Sequence, residues 1–254
     1  MDAALIHAFS EELIKISGMS SARDQELIDA LTKSAPERTK IVFLPPTHPL
    51  MQGGVGVAMR ESAYDTLKKY EKRFPDLLMG QERGKRHILL PKIEGMSGEE
   101  TALMLDGVEV PTSTQLAHEM GHMDDWDDKS LLNRARNAWF PAARHLESVG
   151  PYGSLASGMI GGAVGKPASV ALGLGIPMAM TAATGIPRVL GEAKASRHGM
   201  DRLEAVSTKE ELEAAKKALD AAGGTYRRGL VNDFGSHLLL AATGAITGLG
   251  ARYT

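Results

Sequence analysis

Between Tyr152 and Pro187 the chain carries one charge, Lys166, among Gly, Ala and aliphatic residues. A stretch this apolar does not persist in water as a loop. It reads as a helical hairpin that must be buried, in protein or in lipid. Lys166-Pro167 divides it, because proline starts a helix far more readily than it continues one. The second arm, Ala168 to Pro187, runs 20 residues without a charge, enough to cross a bilayer. Gly173, Gly175, Pro177 and Gly185 interrupt that arm, and Ala and Gly stand where a strong spanning segment has Leu, Ile and Phe. The spacings Gly158/Gly162 and Gly161/Gly165 suit close helix packing in either solvent. Membrane contact through 152–187 and burial within protein are both open readings.

Local signals place further elements around the hairpin. Leu5, Phe9, Leu13 and Ile16 recur at helical spacing, and a second helical piece follows a break near Gly18-Met19-Ser20. Ile41-Val42-Phe43-Leu44 and Arg86-His87-Ile88-Leu89-Leu90 read as strands ended by prolines. Met51–Gly56 is glycine-rich but has neither the Lys-Ser/Thr ending of a phosphate loop nor the glycine spacing of a dinucleotide fold, so it reads as a loop. The pattern predicts a helix over 59–73 and another beginning at Pro111-Thr112-Ser113. A basic amphipathic helix follows over 129–147, with Lys129, Arg134, Arg136 and Arg144 on its polar side. Ser207-Thr208-Lys209-Glu210 opens a helix that Gly223-Gly224 is expected to break. Leu238–Gly250 is short for a spanning segment and reads as a packed or interfacial helix.

Composition excludes several classes of function. With 29 basic and 31 acidic residues there is no general basic field for a nucleic-acid backbone, and aromatics at 5% are too few for a base-stacking platform. Cysteine is absent, which removes disulfides, thiol catalysis and Cys-ligated metal centres. Any metal must be held by His, Asp or Glu. Asp2, Glu11 and Glu12 stand where a secretory signal has its cationic start, so the expected location is intracellular or membrane-associated.

His118-Glu119-Met120-Gly121-His122 carries the chemistry. Histidines four apart lie on one face of a helix, so both imidazoles reach one zinc ion, and the adjoining Glu119 serves as general base. A catalytic zinc needs a third protein ligand and one open position. Asp128, ten residues after His118, is the local candidate, although no glycine turns the helix between His122 and Asp128. The acidic run Asp124, Asp125, Asp127, Asp128 also reads as a solvated helix end. Glu192, opening a helical stretch after the apolar span, is the distal candidate. His198, Arg197 and Tyr226 are of the types that steady an oxyanion.

In order along the chain, Lys85-Arg86-His87-Ile88-Leu89-Leu90-Pro91, Ala117–His122, Leu131–Pro141, the apolar double span, Glu192-Ala193-Lys194-Ala195-Ser196-Arg197 and Ala221-Ala222-Gly223-Gly224-Thr225-Tyr226 resemble the YugP-type neutral zinc metallopeptidases, which are membrane-embedded gluzincins. The resemblance covers roughly residues 85–245. It implies Glu192 as third ligand beside His118 and His122, and an enzyme that hydrolyses protein or peptide substrates with Zn2+. Phe9–Ile16 resembles short N-terminal segments of tailed-phage proteins, which leaves a phage particle among the expected settings. The expected architecture is α+β, mostly α: a helical or docking region over 1–80, then a zincin-like domain over 81–254 with a small sheet and an apolar helical insert at about 152–187. The alternative is a non-catalytic structural or membrane-active protein built on a metallopeptidase relic. The 86–90 strand is expected to offer its edge to an extended substrate.

Overall fold

The computed structural model describes residues 21–45, 47–51, 56–91, 108 and 110–252. The helix expected over Leu5–Ile16, most of the Met51–Gly56 run and the segment 92–107 lie outside the described residues. Helices make up 72% of the structure, with one three-stranded sheet. The chain divides into two units. One comprises residues up to Asp127 together with Ala193–Ala222, the other Asp128–Glu192 together with Gly223 onward.

In the first unit, helix α1 (Ser21–Lys33) is followed by strands β1 (Thr39–Leu44) and β2 (Val57–Met59), helix α2 (Glu61–Lys68) and strand β3 (Arg86–Pro91). Helix α3 (Thr112–Asp127) follows. The sheet order is β1-β3-β2, with β3 parallel to β1 and antiparallel to β2. A boundary at residue 80 would cut this sheet. Alternation along β3 sends Ile88 and Leu90 into one cluster with Leu31, Leu116 and Met120, and Leu89 into another with Val42, Leu44 and Met59. That is why every residue after Arg86 in this central strand is buried. Both edges of β3 are occupied, so the expectation that it pairs with substrate is corrected. A strand flanked on both sides has no backbone groups left to offer.

Helix α3 starts where Pro111-Thr112-Ser113 predicted. Its terminal Ser113 N–H donates to Asp24 Oδ1 of α1 at 3.1 Å, a capping bond supplied from far along the sequence. Three longer helices follow: α4 (Leu131–Val164), α5 (Pro167–Glu204) and α6 (Lys209–Arg252). The turn at Gly165-Lys166 falls as expected, with Gly165 at φ 68°. The start of α6 is a capping box: Glu211 N–H donates to Thr208 Oγ1, and Thr208 N–H donates to Glu211 Oε2.

The second unit is built from α4, α5 up to Glu192, and α6 from Gly223. Here several expected breaks do not occur. Helix α5 runs through Pro177 and Pro187, and α6 runs through Gly223-Gly224 and includes Leu238–Gly250. The prolines are tolerated for a visible reason. Pro177 has no N–H for the Gly173 carbonyl, and Pro187 none for that of Ala183. Helix α4 supplies both missing donors. Ser157 Oγ lies 2.9 Å from the Gly173 carbonyl, its one proton shared with the Ser154 carbonyl at 3.0 Å, and Trp139 Nε1 donates to the Ala183 carbonyl at 2.7 Å. Glycines set the helix spacing. A Cβ on Gly158 or Gly162 would lie about 2 Å from the carbonyl oxygens of Ala241 or Ala245, and one on Gly244 or Gly248 equally close to those of Leu155 or Met159. This is close small-residue packing. Gly158/Gly162 thus act as their spacing suggested.

Large apolar side chains lie on the surface of this unit, and some hydroxyls lie within it. Ile160, Leu172, Leu190, Val231, Leu239 and Ile246 are exposed, whereas Ser154, Thr181 and Thr184 are buried. Helices α5 and α6 are long and apolar enough to cross a membrane by length and composition.

Candidate metal centre

Helix α3 is buried on almost every side: Leu116, Ala117, Met120 and Met123 fill the core, and Glu119 itself is only 7% exposed. His118 and His122 stand on the face left half-open. Their ring centroids are 4.8 Å apart and the rings are nearly perpendicular. One ligand atom each from His118, Glu119 and His122 lies within 4.8 Å of the others, the one such His/Asp/Glu group among the described residues.

Glu119 and His118 are held by their surroundings. Glu119 Oε2 accepts the Ala58 N–H of β2 at 2.6 Å. Gln115, one turn earlier, accepts the Gly56 N–H through Oε1 at 3.0 Å and donates through Nε2 to the Val110 carbonyl at 3.1 Å. Two bonds therefore fasten α3 to the start of β2. Gly56 suits the close approach, because a Cβ would lie 3.0 Å from Glu119 Cγ and Leu90 Cδ2 and those side chains would have to shift. His118 Nδ1 meets Ser196 Oγ of α5 at 3.2 Å. With the hydroxyl as acceptor, the proton sits on Nδ1 and Nε2 carries the lone pair. Helix α5 comes this near because Gly121 and Gly199 have no side chains. A Cβ on Gly121 would lie 2.1 Å from the Ala195 carbonyl oxygen, and one on Gly199 2.8 Å from that of Ala117.

The acidic run after the motif is spent on structure. Asp124 takes both ends of the Arg202 guanidinium at 2.7 Å, and this partner holds Arg202 above its ordinary pKa. Asp127 does the same for Arg86 at 2.6 Å. Buried Asp125 meets Lys194 of α5 at 2.8 Å. The carboxylate of Asp128, the local candidate for third ligand, accepts from the backbone N–H and hydroxyl of Ser130. Glu192, the distal candidate, is half-buried in α5 at the edge of the second unit, one helical turn before Ser196. On the same helix Arg197 is exposed and His198 half-buried. Tyr226 lines a cavity of the second unit, with the Arg188 guanidinium 5.9 Å from its ring centroid.

Nearby titrating groups follow their surroundings. Burial pushes the His87 imidazole of β3 below its ordinary value of 6.5, assisted by Lys40 and Lys85, and the neutral ring accepts the Glu82 N–H at 2.8 Å. Lys40 and then Lys85 hold the Glu82 carboxyl down at about 2. Arg60, stacked over Trp126 at 4.9 Å, is lowered by burial and by Arg86.

Sequence reasoning assigned no role to Ser196, Gln115 or the Ala58 N–H. Ser196 could have been found, since it lies four residues after Glu192 and so shares its helix face. The Ala58 contact could not, because a backbone N–H carries no side-chain signature. Compared with family models, curated proteins and solved structures, the chain matches none.

Proposed function

We propose that the chain is a zinc-dependent endopeptidase of zincin-like build, related to the YugP-type gluzincins, with its helical unit seated in a membrane. The observation that carries this reading is the His118–Glu119–His122 group, with the buried Glu119 carboxylate tied to the edge strand β2. The donor set fits zinc: two imidazoles one turn apart, one with its Nδ1 3.2 Å from the Ser196 hydroxyl, and no thiolate in the chain. His118 and His122 would hold the ion with Glu192, whose assignment rests on the family resemblance and its helical phase with Ser196. Asp128 is the alternative ligand.

Zinc supplies Lewis acidity, acidifying water and polarising the peptide carbonyl. The protein groups do the rest. Ala58 engages Glu119 Oε2, so Oε1 takes the proton of the attacking water and hands it to the departing amide nitrogen as the C–N bond breaks. Arg197 and His198 are the donors proposed to steady the oxyanion. The exposed apolar belt around buried Ser and Thr supports membrane seating, because such a unit hides its polar groups from its surroundings.

The test is zinc per chain by elemental mass spectrometry, with peptidase activity measured on the same samples. About one zinc in the parent, clear loss in Glu192→Ala, and a Glu119→Gln variant that keeps zinc but loses turnover are expected. Residual turnover in Glu119→Gln above about a thousandth of the parent's would sink the mechanism. Zinc unchanged in Glu192→Ala would move the third ligand to Asp128 or elsewhere. A metal-holding parent that cleaves nothing would return the chain to the non-catalytic reading.

A further inference from the structure

We propose that the cavity of the helical unit is a second ligand site, and that it takes a small zwitterion of the phosphoethanolamine type, a phosphate joined to a primary ammonium. The cavity has a volume of about 420 Å³ and lies between α4, α5 and α6, wholly within this unit. That size belongs to small-molecule sites.

The charges on its wall select the ligand. Arg188 of α5 and Asp233 of α6 both line the cavity. Among the described residues, neither Arg188 nor Asp233 has a hydrogen-bond or ion-pair partner, and the Arg188 guanidinium lies 5.9 Å from the Tyr226 ring centroid. The two do not pair with each other. A guanidinium and a carboxylate left apart at one cavity call for a ligand with a charge for each, the phosphate for Arg188 and the ammonium for Asp233.

His237, one turn after Asp233, adds an acceptor. Ser154 Oγ lies 2.7 Å from both the Gly150 carbonyl and His237 Nδ1. With the hydroxyl donating to the carbonyl, it accepts from Nδ1–H and Nε2 is the remaining acceptor of the ring. Its packing admits no larger neighbour, since a Cβ on Gly150 would meet the His237 ring at 2.6 Å.

The position of the charges fits a ligand found at a membrane surface. Arg188 directly follows the uncharged stretch 167–187, and Asp233 directly precedes the uncharged stretch 234–251. Both therefore stand at the same end of the apolar band, beside exposed Leu190 and Val231. A lipid headgroup and a free phosphoethanolamine share the required chemistry.

The full chain in detergent is titrated calorimetrically with phosphoethanolamine, inorganic phosphate and ethanolamine. In a second arm it is reconstituted in nanodiscs of equal phosphatidylethanolamine and phosphatidylglycerol, and the lipid retained after extraction is measured by mass spectrometry. Phosphoethanolamine is expected to bind at least tenfold more tightly than either fragment, or phosphatidylethanolamine to be retained over phosphatidylglycerol. The first result alone identifies a free small molecule as the source, the second alone a lipid. Arg188→Gln and Asp233→Asn are each expected to weaken binding tenfold or more at unchanged zinc content. Arg188→Lys, which keeps the charge but not the planar fork, should retain part of the binding that Arg188→Gln loses and so separates loss of charge from loss of fold. Equal retention of both lipids with no preference over phosphate overturns the proposal, as does parental binding by Arg188→Gln and Asp233→Asn.

Discussion

The two prolines inside α5 allow a direct test of how the helical unit is held. Trp139 Nε1 donates to the Ala183 carbonyl at 2.7 Å, and that carbonyl lacks its helical partner because residue 187 is proline. The bond should matter only while the proline is there. Trp139→Phe leaves the carbonyl without a donor, at a cost of about 1–3 kcal/mol for a buried acceptor. Polar contacts between membrane helices average nearer ~0.6 kcal/mol and reach about 1.7. Trp139 is 39% exposed, which places this one in the lower half, at about 1 kcal/mol. Pro187→Ala restores the backbone N–H and satisfies Ala183 from within α5. A double-mutant cycle therefore isolates the bond. Lost indole packing and the gain in helix propensity appear in opposite sides of the cycle and cancel. Unfolding free energy, from SDS titration in mixed micelles followed by far-UV dichroism, is expected to fall more for Trp139→Phe in the parent than in Pro187→Ala, by about 1 kcal/mol. Equal losses in both backgrounds would mean that the Ala183 carbonyl finds water or another donor, and the account of why α5 survives its prolines would be wrong.

Three further outcomes follow, the last two in the first unit. Gly121→Ala gains about 1 kcal/mol of helix propensity but drives a Cβ to 2.1 Å from a backbone oxygen, so it should lower stability by about 1–3 kcal/mol net, whereas Gly224→Ala, with nothing within 4 Å, should raise the thermal midpoint. Ser196→Ala removes the partner of His118 Nδ1 and should weaken zinc binding about tenfold, read by competition with a chromogenic chelator, while saturating zinc still gives about one ion per chain. Because burial holds the His87 pKa below 6.5, the unfolded state binds the extra proton first. The contribution of neutral His87 is therefore complete above pH 6.5 and declines as pH falls through 6.5 toward the lower folded value, and His87→Gln should remove that part of the stability slope between pH 7.5 and 5.

What could be read from the sequence follows from where each signal lies. Strands β1 and β3 are β-branched or aliphatic runs stopped by proline, and α3 begins at a proline followed by capping residues, so local chemistry defines them. Strand β2 was not legible: three residues after a glycine run have no periodicity to detect, and the strand is fixed by its pairing with His87–Leu89. Pro177 and Pro187 misled for another reason: the breaking power of proline is measured where a freed carbonyl has no nearby donor but water, and in the second unit α4 brings Ser157 and Trp139 to the orphans. Gly223-Gly224 removes no hydrogen bond and costs only backbone entropy, about 1 kcal/mol per glycine, which the 44-residue helix α6 absorbs.

The same distinction explains why the site was clearer than its support. Chemistry at a metal fixes residue type and spacing together, so His118, Glu119 and His122 stand out of a single helix. The neighbouring aspartates show no such restriction, and their pattern alone could not separate ligands from structural anions. Contacts do: Asp124, Asp125 and Asp127 each have a cationic partner from another element, Arg202, Lys194 and Arg86. Two of those partners lie on α5, the helix that also brings Ser196 to His118. The acidic run is thus the fastening that holds α5 across the open face of the His pair. Glycine at 121 permits the approach and the ion pairs maintain it. Glu192 stands one turn before Ser196 on α5, and Asp128 accepts from Ser130 at the start of the next helix. Zinc content in Glu192→Ala and Asp128→Ala, compared side by side, decides between them.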